Sequence, residues 1–416
     1  MSFDIALSGI QAINDSLDVT SHNIANAGTY GYKASRANFS SMVAGNQVTG
    51  VQIGSTTQNI GLQGGILNTG RALDASINGK GFFIAKDNTG EIQYTRVGIF
   101  DASKDGYLVD ASGRKVQGYP VDVKTGVMGA QGNIAIPTGA IPAVPSEKVS
   151  YVGNLSADWE PPAATWSPPA TADDAPDTST FNMSKASVIY DSLGGKHTLT
   201  QYFSRTGTPG AATAGSVDVH YVLDGLEVPP TDRTITFDTK GNMLTPDQTT
   251  DAGSIELDLS GVTVANGATL NNVVINYTGT SGFAGEATTS TNNADGYASG
   301  TFSGVTLGED GSVIASYTNG QKQTVGRLAV ATFPDEGALT AVSDTSWITS
   351  IASGEPLVTA AGVGMAGTIN VSTLEQSNVD ITSELVGLMT SQRNYQANSK
   401  VIQTESTMLQ SLMQAI

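Results

Sequence analysis

The chain contains no cysteine. Disulfides, thiolate nucleophiles, cysteine-bound zinc and iron–sulfur clusters are therefore excluded. Charge is scarce as well. Asp, Glu, Lys and Arg make up 14% of the 416 residues, against about 25% in an average domain. Acidic side chains number 38 and basic ones 20, a net charge of −18. This acidic balance argues against neutralising a phosphate backbone, which takes clustered Lys and Arg, and against docking on an anionic bilayer, so neither nucleic acid nor membrane is an expected partner. No stretch approaches the ~18 consecutive apolar residues of a membrane span. The opening Met1-Ser2-Phe3-Asp4-Ile5 has neither the basic nor the apolar region of a secretory leader.

Residues that carry chemistry are equally thin. The histidines are His22, His197 and His220, none at metal-ligand spacing or beside a nucleophile. Asp101-Ala102-Ser103-Lys104-Asp105-Gly106 begins like a calcium loop, but Ser112 stands where the closing glutamate would be. The glycine-rich stretches 61–65 and 79–81 fit no phosphate-cradling pattern. The expectation is a chain without catalytic residues, metal site or cofactor, and not an enzyme.

What is present is organised in three parts. An amphipathic helix is predicted from an N-cap at Ser2 to about Ile24. Phe3, Ala6, Ile10, Ile13, Leu17, Thr20 and Ile24 recur in alternating steps of three and four, a heptad seam. Asn26, Gly28 and Gly31 end it. A longer helix is predicted after an N-cap at Asp380. Its seam is Ile381, Leu385, Leu388, Gln392, Tyr395, Ser399, Ile402, Ser406, Leu409, Met413 and Ile416. Val386, Met389, Val401, Met408 and Leu412 widen that stripe beyond a two-stranded seam. A Leu/Met stripe is ordinarily core, so the question is which core it joins.

Between the helices the period changes to two. Runs at 81–84, 188–190, 217–222, 255–259 and 273–277 read as strands, and Asp105-Gly106, Lys240-Gly241 and Asp310-Gly311 as hairpin turns. The fold class is mainly β, antiparallel, with terminal α-helices that pair as a coiled coil and β domains inserted between them. The segment from Glu160 to Thr180, rich in Pro, Ala, Thr and Asp, reads as a surface loop. Residues 1–33 and 377–416 carry 6 acidic and 3 basic groups. The helical ends are thus nearly neutral, suited to close association, while most of the acid lies on the β part.

Ser21-His22-Asn23-Ile24-Ala25-Asn26-Ala27-Gly28-Thr29-Tyr30-Gly31-Tyr32-Lys33 resembles the N-terminal signature of the bacterial flagellar rod and hook axial protein family. The residues that carry it are Asn23, Ile24, Ala25, Asn26, Thr29, Gly31, Tyr32 and Lys33. Further similar stretches follow at 68–74, 77–83, 94–100, 106–108 and 118–120. Gln376-Ser377-Asn378-Val379-Asp380, Glu384-Leu385-Val386 and Gln392–Asn398 resemble the family's C-terminal signature. Rod members are shorter and lack a large central insert, whereas the hook–filament junction member is longer and helix-rich, so this length fits the hook branch.

The resemblance implies nested domains. Residues 1–33 and 377–416 would form the helical core of a tube, and 34–72 with 356–376 a connecting segment. Residues 73–145 and 286–355 would form an inner β domain, with an outer one, 146–285, inserted into it. It further implies self-assembly into a curved, hollow tube, a flexible joint that passes torque from rod to filament. The assembly residues would be Phe3, Ile10, Ile13, Leu17 and Ile24 in the first helix. In the last they would be Leu385, Leu388, Tyr395, Ile402, Leu409, Met413 and Ile416. Implied partners are further copies of the chain, the distal rod protein, the hook cap protein, the hook–filament junction protein and the flagellar type III export apparatus. The implied location is the extracellular flagellum, reached without a cleaved signal peptide. A distal-rod-like subunit is the alternative within the family. A carbohydrate-active β protein would need two carboxylates at fixed separation in a pocket, and an adhesin would need no seam at both ends.

Overall fold

The computed structural model describes residues 2–44, 47–123, 125–171, 174–206, 215–228, 234–246, 253–262, 264 and 267–415. Helix α1 spans Ser2–Ala25 and helix α2 spans Ile381–Ala415; among the described residues, the regular structure between them is strand apart from two short 3-10 turns. Neither helix is long and apolar enough to cross a membrane.

Each helix boundary has a local cause. Asp380 caps α2: one carboxylate oxygen accepts the backbone N–H of Thr382 at 2.9 Å, the other the Ser383 hydroxyl at 2.8 Å. The Ser383 hydroxyl and these N–H donors hold the Asp380 carboxyl below the usual range. α1 stops where the Asn26 N–H closes a last turn on the His22 carbonyl at 3.1 Å. Gly31 then takes a φ of 68°. A side chain there would be strained, and its Cβ would lie 3.0 Å from Val97.

The chain forms two compact units. The first comprises 1–138, 303–316 and 322–416 and holds both helices; the second comprises 139–302 and 317–321. In the first unit, a twelve-stranded sheet buries Phe82, Ile84, Tyr94, Phe333 and Trp347. Phe82 meets Trp347 edge-on at 5.6 Å, and Tyr94 meets Phe333 at 4.8 Å. In the second unit, a four-stranded and a six-stranded sheet share one core, which includes Tyr151, Phe203, Tyr221 and Tyr277. The Tyr221 and Tyr277 hydroxyls meet at 2.8 Å and the Tyr277 hydroxyl donates to Gln201 Oε1 at 2.6 Å, so neither buried O–H is left an orphan donor. Lys148–Asn154 runs parallel to Val273–Asn276, and Asn154 makes a further parallel bridge to Ser281; these segments are far apart in sequence and need no tight turn.

The runs expected as strands lie on strands except at their ends, where Gly81, Asp258, Leu259 and Tyr277 fall outside, and Gly106 and Gly241 take φ of 74° and 82° in their turns. One pair was not expected. β1, Ser35–Ala44, and β2, Gln47–Gln58, form a long hairpin in the stretch that the sequence marked only as a connector. It packs against α1, where Val51 N–H donates to Ser8 Oγ at 3.2 Å. The Glu160–Thr180 loop is mostly exposed but pinned: Trp166 stacks on His220 at 4.4 Å and donates to Glu227 at 2.9 Å.

Candidate assembly surface and the joint between the chain ends

α1 and α2 pair antiparallel. The Asn23 carboxamide donates to Glu384 at 2.8 Å, and two heptads away a Cβ on Gly9 would lie 3.0 Å from Asn398. At 1.5 Å per residue α2 is about 16 Å longer than α1, and its last turns extend past its partner. The face α1 buries is Ala6, Gly9, Ala12, Ile13, Thr20 and Asn23. α2 shields only Glu384, Leu388, Ser391, Asn398, Ser399, Ile402 and Glu405, and these only partly.

The intramolecular contact is therefore rotated from the heptad reading. It keeps Ala6, Ile13 and Thr20 from the α1 seam, and Leu388, Ser399 and Ile402 from that of α2. Small and polar residues supply the rest. Small residues let the two backbones approach, whereas large apolar ones would hold them apart. Ile10, Leu17 and Ile24 are half-buried and Phe3 is exposed. On α2, Leu385, Val386, Met389, Tyr395, Val401, Met408, Leu409, Leu412 and Met413 are all exposed, Leu409 at 55% and Met413 at 73%. Ile416 lies outside the described residues. Apolar surface of this extent is what a chain presents when another chain completes its core.

Where the helices meet the β part, four stretches converge. Asn23 uses its whole carboxamide. It donates to the Ser35 carbonyl at 2.7 Å and to Glu384, and it accepts from the Ser35 N–H at 2.9 Å and the Tyr32 hydroxyl at 3.3 Å. Burial raises the Tyr32 pKa. Asn26 closes the turn, donating to the His22 carbonyl and accepting from Thr29 at 3.1 Å. Ile24 is half-buried and Ala25 exposed beside them.

Lys33 goes inward. Its ammonium is fully buried, 2.5 Å from Glu375 Oε1, and it also donates to the Leu62 carbonyl at 2.7 Å. Arg96 reaches the other Glu375 oxygen at 3.4 Å and lies over the Phe82 ring. Burial pulls both cations below their ordinary pKa, and attraction to Glu375 opposes it. Asn378 accepts from the Ala34 N–H at 2.7 Å and donates to the Asn59 and Leu62 carbonyls, both at 2.9 Å.

The signature from Asn23 to Lys33 thus shapes the joint. Arg96, Glu375, Asn378 and Glu384 complete it, and spacing along the chain gave no hint of their partners. The only signal was that Arg96, Asn378 and Glu384 lie in the stretches that resemble one family. Among the described residues, no group of three or more His, Cys, Asp or Glu is placed to hold a metal. His197 touches Asp224 and Asp191 with opposite ring nitrogens, so these carboxylates do not converge on one ion. Asp101 is paired with Arg71 at 2.8 Å.

Three family models match the chain. "Flagellar hook protein FlgE/F/G D1 domain" covers 76–157, "Flagellar basal body protein FlaE D2 domain" 154–297, and "Flagellar basal body rod FlgEFG protein C-terminal" 371–415. The flagellar hook protein FlgE of Escherichia coli (strain K12) is 32% identical over 99% of both chains. That of Brucella suis biovar 1 (strain 1330) is 33% identical over 98% of this chain and 96% of its own. The crystal structure of Helicobacter pylori flagellar hook protein FlgE2 shares the fold, with a TM-score of 0.53 at 14% identity. It covers 74% of this chain and 99% of that one.

Proposed function

The chain belongs to the flagellar hook protein family and is a structural subunit of the hook, in the extracellular part of the flagellum; we propose that it polymerises through the helix faces left bare in the single chain. The observation that carries this is the exposed stripe from Leu385 to Met413 on α2. Fully covering one such side chain contributes roughly 1.5–3 kcal/mol. A neighbour that covers several outweighs the freedom lost on association.

In this reading 1–33 and 377–416 form the core of the tube, with 34–72 and 356–376 as the connecting segment. Residues 73–145 with 286–355, and 146–285, form the β domains. Phe3, Ile10, Leu17 and Ile24 act with Leu385, Tyr395, Leu409, Met413 and Ile416 between subunits. Ile13, Leu388 and Ile402 face the partner helix within the chain and set its spacing. The polymer is a curved, hollow, flexible joint that transmits torque. Low surface charge lets neighbouring subunits slide as the tube bends without breaking strong ion pairs. It would join the distal rod protein at one end and the hook–filament junction protein at the other, grow under the hook cap protein, and be exported by the type III apparatus.

Negative-stain microscopy of the purified full chain tests the reading. Curved hollow tubes are the expected result. Straight rods would point to a distal-rod-like role, and a chain that stays monomeric under every polymerising condition would refute it.

A further inference from the structure

Glu375 is a buried carboxylate held from three directions. Lys33 and Arg96 approach its two oxygens at 2.5 and 3.4 Å, and the Gly64 N–H donates to Oε1 at 3.0 Å. Its backbone takes part as well, since its carbonyl accepts the Gly31 N–H at 2.8 Å. Lys33 and Glu375 are 342 positions apart. Asn378, three residues on, bonds Ala34, Asn59 and Leu62. Thus the segments around 31–34, 59–64 and 96 all close on one short stretch near the C-terminal end. Without Glu375 two cations would sit in a dry interior, and a buried unpaired charge is among the most costly defects a fold can carry.

A ribosome makes residues 31–96 long before 375–378. Until those last residues arrive, Lys33 has no carboxylate partner and the Ala34 N–H and Leu62 carbonyl lack their Asn378 partner. We propose that Glu375 is a completion latch: the N-terminal signature docks, and α1 gains its seat, only in a chain whose C-terminal segment has closed over it. A chain lacking 375–378 would then hold α1 only against the β1–β2 hairpin, without its seat at the joint, and could not enter a tube. This rests on the assembly role of α1 proposed above, but the latch itself is read from protection within the chain rather than from tubes.

The test is hydrogen exchange on the full chain, read in peptides covering 29–35, 59–65 and 373–379. The unaltered chain should be protected in all three. Glu375→Gln keeps the shape but leaves Lys33 and Arg96 buried without a counter-charge. It should speed exchange about a hundredfold in all three peptides together, with residues 183–205 of the second unit unchanged. Adding Lys33→Met removes one stranded cation and should restore much of the protection. Acceleration confined to 373–379, no acceleration at all, or a double variant no better than the single one would each overturn the latch. So would an unaltered chain with no protection at 29–35. Intact protection changes combined with a wild-type chain that never forms tubes would leave the latch standing and refute the assembly reading instead.

Discussion

Asn23 and Glu384 lie 361 positions apart, and the carboxamide of the first donates to the carboxylate of the second at 2.8 Å. That bond joins the last turn of α1 to the first turn of α2. The same carboxamide satisfies both the N–H and the carbonyl of Ser35. Asn23→Ala should therefore destabilise the first unit by about 2 kcal/mol, since orphaned backbone groups cost ~1–3 kcal/mol each. Asn23→Asp keeps the shape but faces Glu384 with a second carboxylate, and it should be at least as harmful. Urea midpoints of the two variants against the parent check this; equal midpoints would remove Asn23 from the joint.

Much of this arrangement is legible in the sequence. The Asp380 cap, both helices and the strand runs follow from local pattern. The rotation of the helix contact does not. A heptad reading assigns the largest apolar residues to the nearest seam, but here Gly9 and Asn398 meet where the helices pair, Leu388 and Ile402 are only half-buried, and Leu385, Tyr395, Leu409 and Met413 stay exposed. Which surface a second chain covers is not written in the periodicity of one helix. β1 and β2 were missed for a related reason: Ser, Asn, Thr and Gly in that hairpin give no apolar alternation, and its pairing with α1 supplies the order. The Lys33–Glu375 contact depends on closure across most of the chain.

A fragment of residues 59–376 should fold as a soluble, β-rich monomer that forms no tubes. It keeps Ile60 in the core of the first unit and Glu375 beside Arg96, but lacks both helices and the β1–β2 hairpin. Circular dichroism and sedimentation velocity decide it. Polymerisation of this fragment would locate assembly in the β part.

The second unit should carry a pH-dependent clamp. His197 Nδ1 lies 2.6 Å from Asp224 and Nε2 3.3 Å from buried Asp191. Burial disfavours the imidazolium, but hydrogen bonds and attraction to Asp224 and Asp191 outweigh it and raise its pKa. A raised folded value means the unit binds a proton more tightly than the unfolded chain does. The stabilisation is complete below the ordinary imidazole pKa of about 6.5 and is lost as pH rises through the folded value. In a Trp347→Phe background, Trp159 and Trp166 report on this unit alone. Its denaturant midpoint should fall on going from pH 6 to pH 9, and His197→Gln should flatten that slope. A midpoint that rises over this range would reverse the assignment.

Two residues on one helix separate packing within the chain from packing between chains. Ile402 is half-buried on α2, so Ile402→Asp should loosen the helix pair and the tube together. Lys400 is exposed and unpaired by any salt bridge among the described residues. Lys400→Ala should leave tube yield unchanged at low and high salt, because exposed charges contribute about 0–1 kcal/mol.

The most direct measurement is the tube yield of Leu409→Asp, counted by negative-stain microscopy beside its thermal melt as a monomer. Leu409 is exposed in the single chain, so the substitution should leave the melt within about 0.5 kcal/mol of the parent. A carboxylate buried in every subunit contact costs several kcal/mol, and tubes should be absent. Normal tubes from Leu409→Asp would contradict the assignment of the bare face of α2 as the surface that builds the hook.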